Sequence, residues 1–231
     1  MTTDYVAGAN AVFSHLWQHE KPSSVLDIGC GNGAWLRAAL DLGVNDVLGV
    51  DGLDHPQIRL AQLSASLDLG RRFDLALCLE VGEHLDARHA EDLITIIAAH
   101  TNKALFSAAV PGQPGEHHVN CQWPAYWQER FNRHGFVCED CVRWQVWNDE
   151  RIEPWYRQNL FLAYRDSRSG KEPRIPPVVH AALVALISDE LTRDKNRRSI
   201  EDGHESLSWY VRAVPNALAC KLMRWLWSAS Q

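Results

Sequence analysis

The stretch that decides the fold is Val25-Leu26-Asp27-Ile28-Gly29-Cys30-Gly31-Asn32-Gly33. Residues 23–28 end in a short apolar run, which is typical of a buried strand. The three glycines allow the backbone to turn tightly and to approach a ligand closely. Residues 35–42 then follow a helical pattern that ends at Gly43. This order of strand, turn and helix predicts one unit of an α/β fold.

Further strands alternate with helices along the chain. Strands are predicted at 46–51, 57–63, 73–79, 104–109, 137–142 and 160–164, and helices at 5–19, 87–100 and 124–134. This alternation predicts an α/β, Rossmann-like fold, with a seven-stranded, mostly parallel sheet and helices on both faces. Such sheets bind ligands at the carboxyl ends of their strands. We therefore expect the functional residues to follow strands.

The chain changes in composition after residue 165. Its segments are, in order, a predicted linker (166–177), an apolar helix (178–191), a polar loop (193–203) and an amphipathic helix (206–228). We expect a core over residues 1–165 and a linker with a helical C-terminal extension over residues 166–231. The extension has three candidate roles, which are to cover the active site, to form a homodimer contact or to pack on the core.

Composition narrows the classes of function. The 231 residues have a net charge of -6, which disfavours a nucleic-acid partner because such surfaces need a basic footprint. We find neither a basic leader followed by an apolar run nor 18 consecutive apolar residues. The six scattered cysteines are expected to be reduced thiols. A cytoplasmic protein without a membrane partner is therefore expected.

An acid ends the predicted strand that follows the glycine turn. A carboxylate at the place of Asp51 accepts hydrogen bonds from ribose hydroxyls. The glycines have the spacing G-x-G-x-G, with Asp27 two residues before the first, whereas a nicotinamide-binding dehydrogenase has G-x-G-x-x-G. The pattern closely resembles motif I of the class I S-adenosylmethionine methyltransferases.

That resemblance implies a set of cofactor contacts. The glycine loop would pack on the methionine portion of S-adenosylmethionine, and Asp51 would bind its ribose. The residues expected to contact the cofactor are Asp27, Gly29, Cys30, Gly31, Asp51, Gly52, Gln62, Leu63 and Glu80. The sequence departs from the family after the third strand, where the usual acid is missing. Gln62 could accept from the adenine amino group there through its amide oxygen.

A second group of polar residues follows the predicted strand 73–79. Glu80, Glu83 and His84 are spaced i, i+3 and i+4, which places them on one face of a helical turn. The loop 111–120 begins at the same end of the sheet and contains two histidines. Two carboxylates and two imidazoles could hold a divalent metal ion with open positions for substrate. The alternative is that Glu80 only contacts the cofactor and that His84 orders a loop.

The E-x-x-E-H run with a later histidine resembles the metal site of two methyltransferase groups. These are the ubiquinone-pathway O-methyltransferases and the small-RNA 3′-terminal 2′-O-methyltransferases. Residues 115–123 also resemble bacterial methyltransferases of mostly unassigned substrate. The resemblance implies a divalent ion (Mg, Mn, Fe or Zn) held by Glu80, Glu83, His84 and His118, with His117 as the rival of His118.

Three of these residues, Glu83, His84 and His118, are also the predicted catalytic residues. An acceptor hydroxyl beside the metal ion would lose its proton more easily and attack the methyl group in line. Without a metal ion, His84 or His118 would serve as the general base.

Tryptophan is concentrated in the second half of the chain. Eight of the ten tryptophans lie from Trp123 onward. Those between residues 123 and 155 are interleaved with arginines, which would suit a pocket for a flat or anionic acceptor. The alternative, that these rings pack in the core, is equally open.

Together these patterns predict an S-adenosylmethionine-dependent methyltransferase. The expected acceptor is a small molecule, and O-methylation of a natural-product or sugar intermediate is the leading hypothesis. One alternative is an RNA 2′-O-methyltransferase. Another is a non-catalytic subunit that binds the cofactor, because a fold alone does not establish activity.

Overall fold

The computed structural model describes residues 5–18, 20–51, 59–60, 67–201 and 207–208, and gives the backbone alone for 59–60, 190, 194 and 196–201. The chain divides into two compact units, Met1–Ala185 and Leu186–Gln231. Every strand described, and the candidate site, lies in the first unit.

The first unit is built on one sheet. Its strands are β1 (Ser24–Ile28), β2 (Asp46–Asp51), β3 (Arg59–Leu60), β4 (Leu75–Leu79), β5 (Lys103–Ser107), β6 (Phe136–Glu139) and β7 (Phe161–Arg165). They lie in the order β3-β2-β1-β4-β5-β7-β6, with β3 as a two-residue edge strand. The pairs from β3 to β5 are parallel, whereas β7 is antiparallel to β5 and β6. The predicted Rossmann-like, mostly parallel α/β sheet is confirmed.

Helices connect these strands. They are α1 (Tyr5–Leu16), α2 (Ala34–Asp41), α3 (Ala90–His100), α4 (Pro124–Arg133), α5 (Cys141–Val146), α6 (Pro154–Asn159) and α7 (Ala181–Glu201). Two short 3₁₀ turns, Gly82–His84 and Ala87–His89, precede α3. Both α4 and α6 begin with proline, which suits a first helical turn because its missing N–H is not needed there. Among the described helices, none has both the length and the apolar character that crossing a bilayer requires.

The buried strands contribute to two hydrophobic cores, one on each face of the sheet. Leu75, Leu77 and Leu79 of β4 pack with residues of α1 and α2. Ala76 and Cys78 of the same strand pack with residues of α3 and α4. Because successive strand residues point to opposite faces, helices cover the sheet on both sides.

The carboxyl ends of four parallel strands meet at one edge of the sheet. β1 pairs with β2 on one side and with β4 on the other, so the strand order reverses beside β1. The chain leaves β1 at Gly29, β4 at Glu80 and β5 at Ala108. A ligand site at this edge follows from the topology.

Two predicted elements were wrong in part. The strand predicted at 137–142 ends at Glu139, and α5 begins at Cys141 because Val142 and Val146 recur at helical spacing and are buried together. The loop predicted at 193–203 is helical through Glu201. It contains no glycine or proline before Gly203 that would end a helix.

Two further predictions fall largely outside the described residues. Of the strand predicted at 57–63 the structure describes Arg59–Leu60, and of the helix predicted at 206–228 it describes residues 207–208. The remainder of each stays a prediction.

The segment expected to be a linker packs against the core. One Glu172 carboxylate oxygen accepts hydrogen bonds from the side chains of Gln128 and Asn132 and from the Cys138 amide. Ile175 is buried in the same core as α4. The segment 166–177 therefore packs on the core despite its polar, proline-rich composition.

Candidate functional site

The turn after β1 uses backbone conformations that favour glycine. Gly29, Gly31 and Gly33 have φ angles of 77°, 52° and 79°, in the left-handed region where a Cβ is costly. The Gly29 amide donates to the Val50 carbonyl at 2.7 Å, and the Gly31 amide donates to Oδ2 of Asp51 at 2.7 Å. These hydrogen bonds hold the loop against the end of β2.

A cavity of about 340 Å³ opens beside this loop and is called the glycine-loop cavity below. Its walls include Asp27, the loop residues 29–32, and the rings of Trp35 and Tyr156. The Trp35 indole donates to the Tyr156 hydroxyl at 3.4 Å. The volume lies in the range that ligand pockets commonly have.

Asp27 brings an unpaired carboxylate oxygen to this cavity. The residue is 2% exposed, and its Oδ2 has no hydrogen-bond partner among the residues that the structure describes. Burial, and then the charge of Asp51, raise the pKa of the Asp27 carboxyl to about 8. A buried acceptor of this kind fits a ligand with a cationic or hydrogen-bond-donating group, such as the amino group of S-adenosylmethionine.

Asp27 should make the stability of the ligand-free protein depend on pH. The pKa of the Asp27 carboxyl rises from 3.8, its ordinary value, to about 8 in the folded protein, so the folded state holds the proton more tightly than the unfolded state. The stability that this proton contributes is fully present below pH 3.8 and is lost as the pH rises through about 8. Asp27→Asn cannot ionise, and we expect it to melt at least about 3 °C above the wild type at pH 8, with a smaller difference at pH 5. Thermal melts with Asp41→Asn as the exposed control measure this, and a pH-independent difference would contradict it.

Glu80 has a left-handed backbone conformation directly after β4, with a φ of 54°. Its amide donates to the carbonyl and hydroxyl of Ser107 at 3.0 and 3.1 Å. Its Oε2 accepts from Nε2 of Gln113 at 2.7 Å, and its Oε1 accepts from Nδ2 of Asn159 at 3.2 Å. Both carboxylate oxygens of Glu80 thus have amide donors.

Glu83, His84 and His118 form a compact group, called the carboxylate–histidine cluster below. One possible ligand atom from each lies within 4.8 Å of the other two. The two imidazole rings are 5.0 Å apart between centroids, with an interplanar angle of 74°. One carboxylate with two imidazoles is a donor set that zinc, iron and manganese accept.

The electrostatics of the cluster favour a cation. Glu83 is fully buried, and neither of its carboxyl oxygens has a hydrogen-bond partner within the described part of the chain. Burial, and then the charge of Glu80, raise the pKa of Glu83 to about 9. Burial, and then the neighbouring His118, lower the pKa of His84. A cation would pair with the unpartnered carboxyl and with the lone pairs of neutral imidazoles.

Backbone groups of the loop after β5 hold the cluster in place. The amides of Val119 and Asn120 donate to the Glu83 carbonyl at 2.8 and 3.0 Å. Nδ1 of His118 lies 3.2 Å from the Gln113 carbonyl. Because a carbonyl can only accept, Nδ1 carries a proton, and in the neutral ring this leaves the lone pair on Nε2, as in histidines that bind metals.

The structure brings most of the predicted site residues to one edge of the sheet. Asp27, Gly29, Cys30 and Gly31 line the glycine-loop cavity, and Asp51 contacts its loop. Of the two rival histidines, His118 reaches the cluster, whereas His117 is exposed. Gly52, Gln62 and Leu63 lie outside the described residues, so their cofactor contacts stay predictions.

The expectation that Glu80 shares a helical face with Glu83 and His84 is wrong. The 3₁₀ turn begins at Gly82, and the left-handed conformation of Glu80 turns the chain before it. Among the described residues, Glu80 is not part of the group whose ligand atoms lie within 4.8 Å. Its carboxylate is held by Gln113 and Asn159, although it lies near Glu83, whose pKa is raised by burial and then by the charge of Glu80.

Sequence reasoning missed Gln113, Asn159 and Tyr156. One signal for Asn159 was available, since the polar pair Gln158-Asn159 stands directly before an apolar strand. β7 is antiparallel to β5, with Phe161 opposite Phe106, so the start of β7 lies at the edge where the parallel strands end.

The tryptophans are divided between the core and the surface. Trp35 and Trp127 are buried, whereas Trp123 and Trp144 are 37% and 50% exposed. A Cβ on Gly82 would lie 2.5 Å from the Trp127 ring, so this ring packs directly under the 3₁₀ turn. Trp127 therefore packs against the turn that carries Glu83 and His84.

Comparison with known proteins identifies the family of this chain. The family model described as "methyltransferase domain" matches residues 7–150. No curated protein matches the sequence at significant similarity.

Solved structures share the fold at low sequence identity. DesVI from Streptomyces venezuelae is 13% identical, with a TM-score of 0.56 over 71% of this chain and 93% of that chain. Magnesium protoporphyrin IX methyltransferase from Synechocystis, with bound S-adenosylhomocysteine, is 18% identical, with a TM-score of 0.52 over 71% of this chain and 83% of that chain. A third structure is the 1,6-didemethyltoxoflavin-N1-methyltransferase from Burkholderia thailandensis, also with bound S-adenosylhomocysteine. It is 19% identical, with a TM-score of 0.50 over 71% of this chain and 80% of that chain.

Proposed function

The chain belongs to the class I S-adenosylmethionine-dependent methyltransferases, and from this we propose that it methylates a hydroxyl oxygen of a small-molecule acceptor with the help of a divalent metal ion. The observation that carries the proposal is the carboxylate–histidine cluster. It combines a buried carboxyl whose oxygens are unpartnered within the described residues with two imidazoles. It lies at the sheet edge where the glycine-loop cavity opens.

Asp27, Asp51 and the glycine loop would bind the cofactor. S-adenosylmethionine supplies a methyl group on a sulfonium; transfer of this methyl to the acceptor oxygen releases the hydroxyl proton and leaves S-adenosylhomocysteine. Asp27 has the free oxygen that an amino group would fill. Asp51 already accepts from the Gly31 amide, and would accept from ribose hydroxyls through its carboxylate as well.

Glu83, His84 and His118 would hold the metal ion, which supplies Lewis acidity that lowers the pKa of a neighbouring hydroxyl. Two imidazoles with one carboxylate favour manganese, iron or zinc over magnesium, because magnesium prefers oxygen ligands. The lowered pKa of His84 keeps this ring neutral near pH 7. A neutral ring is available both as a ligand and as an acceptor for the hydroxyl proton.

The acceptor would approach past the loop after β5. Val119 and Trp123 are exposed on this loop, and the backbone amide of Val119 is one of the two that hold Glu83. An apolar rim beside polar, cation-binding groups suits a small acceptor that has both a hydrophobic part and a hydroxyl. A sugar or natural-product intermediate with neighbouring hydroxyls meets this description.

Gly115→Ala is expected to lower the affinity for Mn²⁺ about 10–100-fold while leaving the affinity for S-adenosylhomocysteine unchanged. A Cβ at this position would lie 2.1 Å from Nε2 of His118, so the ring would have to leave the cluster. Calorimetric titrations measure both affinities. Gly112→Ala is the control for strain in the same loop, because its φ of 87° disfavours alanine while its Cβ would meet no described atom within 4 Å. Equal metal affinity of Gly115→Ala and the wild type would show that His118 is not a ligand.

The proposed function is tested by incubating the protein with S-adenosylmethionine, Mn²⁺ and a panel of catechols, vicinal diols and glycosides. Mass spectrometry of the products and release of S-adenosylhomocysteine are the readouts. We expect O-methylation that EDTA abolishes and that Mn²⁺ or Fe²⁺ restores. Methylation confined to amines, or unaffected by EDTA, would contradict metal-assisted O-methylation. Methylation of RNA 3′ ends in place of these acceptors would contradict the small-molecule assignment.

A further inference from the structure

Glu80 belongs to a buried hydrogen-bond network that reaches the carboxylate–histidine cluster through Gln113. Besides their bonds to its carboxylate, Gln113 and Asn159 contact each other, since Nδ2 of Asn159 donates to Oε1 of Gln113 at 2.9 Å. Gln113 is 8% exposed and Asn159 is 2% exposed. The three residues come from the end of β4, the loop after β5 and the end of α6, so the network joins three separate elements.

The orientation of the Asn159 amide is determined by its neighbours. Its Oδ1 accepts from Nε2 of Gln158 at 3.0 Å, while Oε1 of Gln158 accepts from the His180 amide at 2.7 Å. A flipped Asn159 would place oxygen against the Glu80 carboxylate and nitrogen against a Gln158 donor. The NH₂ group of Asn159 is therefore committed to Glu80 and Gln113.

Gln113 contacts both Glu80 and His118 of the cluster. Its side chain donates to Glu80, and its backbone carbonyl lies against Nδ1 of His118. Burial, and then the charge of Glu80, raise the pKa of Tyr156 in the wall of the glycine-loop cavity. Gln113 thus connects Glu80 with His118 of the carboxylate–histidine cluster.

We propose that Gln113 and Asn159 are positioning residues that hold both oxygens of the Glu80 carboxylate, so that Glu83, His84 and His118 bind the metal ion without Glu80. This inference rests on the proposed function. It departs from the four-ligand set that the E-x-x-E-H resemblance implies. A site with three protein ligands leaves more coordination positions for an acceptor, as catalytic metal sites commonly do.

Metal titrations of Glu80→Gln and Glu83→Gln test the proposal first. Calorimetry with Mn²⁺ and with Co²⁺ is expected to show an affinity of Glu80→Gln equal to that of the wild type within error. Glu83→Gln should lose at least about 100-fold. The electronic spectrum of bound Co²⁺ should be the same in Glu80→Gln and the wild type. A loss in Glu80→Gln as large as in Glu83→Gln, or a changed Co²⁺ spectrum, would overturn the proposal.

Releasing Glu80 is the second test. In the double variant Gln113→Met, Asn159→Leu the carboxylate is free to reach the cluster, so Mn²⁺ affinity should rise about tenfold while S-adenosylhomocysteine affinity falls. Adding Glu80→Gln should remove the gain. A merely structural role of the two amides would lower both affinities, with or without Glu80, and this result would contradict positioning. Circular dichroism checks folding, and Gln145→Met, at an exposed position of α5, is the control.

The proposal and the proposed function can fail separately. If the wild type binds neither Mn²⁺ nor Co²⁺ at millimolar concentration, metal assistance fails, and S-adenosylhomocysteine titrations then decide on the positioning of Glu80. Glu80→Gln and Asn159→Leu should each weaken the binding of S-adenosylhomocysteine. A protein with both Glu80→Gln and Asn159→Leu should bind it no more weakly than the weaker-binding of the two single variants. Additive losses would overturn the positioning role.

Discussion

Glu83→Gln is expected to lower the affinity for Mn²⁺ by at least about 100-fold, which exceeds the usual cost of changing a group outside the ligand shell. The carboxylate is the one negative ligand in the carboxylate–histidine cluster, and glutamine cannot replace its charge. Folding should be preserved, because burial raises the pKa of Glu83 to about 9 and glutamine matches the protonated side chain in shape. Calorimetry with Mn²⁺ measures the affinity, and thermal melting of the metal-free protein measures the stability.

The matched control for this substitution is Glu116→Gln. Glu116 is an exposed carboxylate on the same loop as His118, so its removal takes a negative charge from the neighbourhood of the cluster without changing the ligand set. We expect wild-type Mn²⁺ affinity for Glu116→Gln. Similar losses in the two variants would show that metal affinity follows net charge and not the ligand set.

Gly29→Ala should destabilise the protein by about 2–5 kcal/mol and abolish binding of S-adenosylhomocysteine. About 1–2 kcal/mol comes from the left-handed conformation, since φ is 77°. Another 1–3 kcal/mol, approximately, comes from overpacking, because the new Cβ would lie 2.4 Å from Cγ2 of Val81. Urea unfolding measures the free energy of unfolding, and calorimetry measures the affinity.

Gly33→Ala separates these two causes. Gly33 has a φ of 79°, but a Cβ there would meet no described atom within 4 Å, so we expect only the conformational cost of about 1–2 kcal/mol. Adding Val81→Ala to Gly29→Ala should recover part of the steric cost. Equal destabilisation by Gly29→Ala and Gly33→Ala would exclude the contact with Val81 as a cause.

The region from residue 23 to residue 43 could be predicted closely because its requirements are local. A buried strand needs an apolar run, a left-handed turn needs glycine, and the helix after it ends where Gly43 stands. Asp51 could be placed near Gly31 because β1 and β2 are neighbouring parallel strands. These inferences need only the order of strands, which alternation with helices predicts.

The position of Glu80 could not be predicted because its partners are distant in sequence. Gln113 is 33 residues away and Asn159 is 79 residues away, and the left-handed conformation occurs at a residue other than glycine. The helical spacing of Glu80, Glu83 and His84 therefore predicted a shared face that the backbone does not form. Tertiary contacts outweighed local periodicity at this residue.

Short helices between β6 and β7 were missed for a different reason. Residues 141–159 are rich in tryptophan and arginine, so their periodicity was obscured. The structure shows α5 and α6 there, with Val142, Val146 and Tyr156 buried in the core that contains α1 and α2. Amphipathic side chains such as Arg143, which is buried and pairs with Asp140, occupy positions that a hydrophobic pattern does not identify.

The most direct measurement is a calorimetric titration of S-adenosylhomocysteine into the wild type, Asp51→Ala and Asp46→Ala. Asp46 and Asp51 are the first and last residues of β2, so the pair compares one acid at the glycine-loop cavity with another at the far end of the same strand. Binding to the wild type and to Asp46→Ala with equal affinity, and a loss of at least about tenfold for folded Asp51→Ala, is the predicted result, since a factor of ten corresponds to about 1.4 kcal/mol. Equal affinities of all three proteins would contradict nucleoside binding at the end of β2.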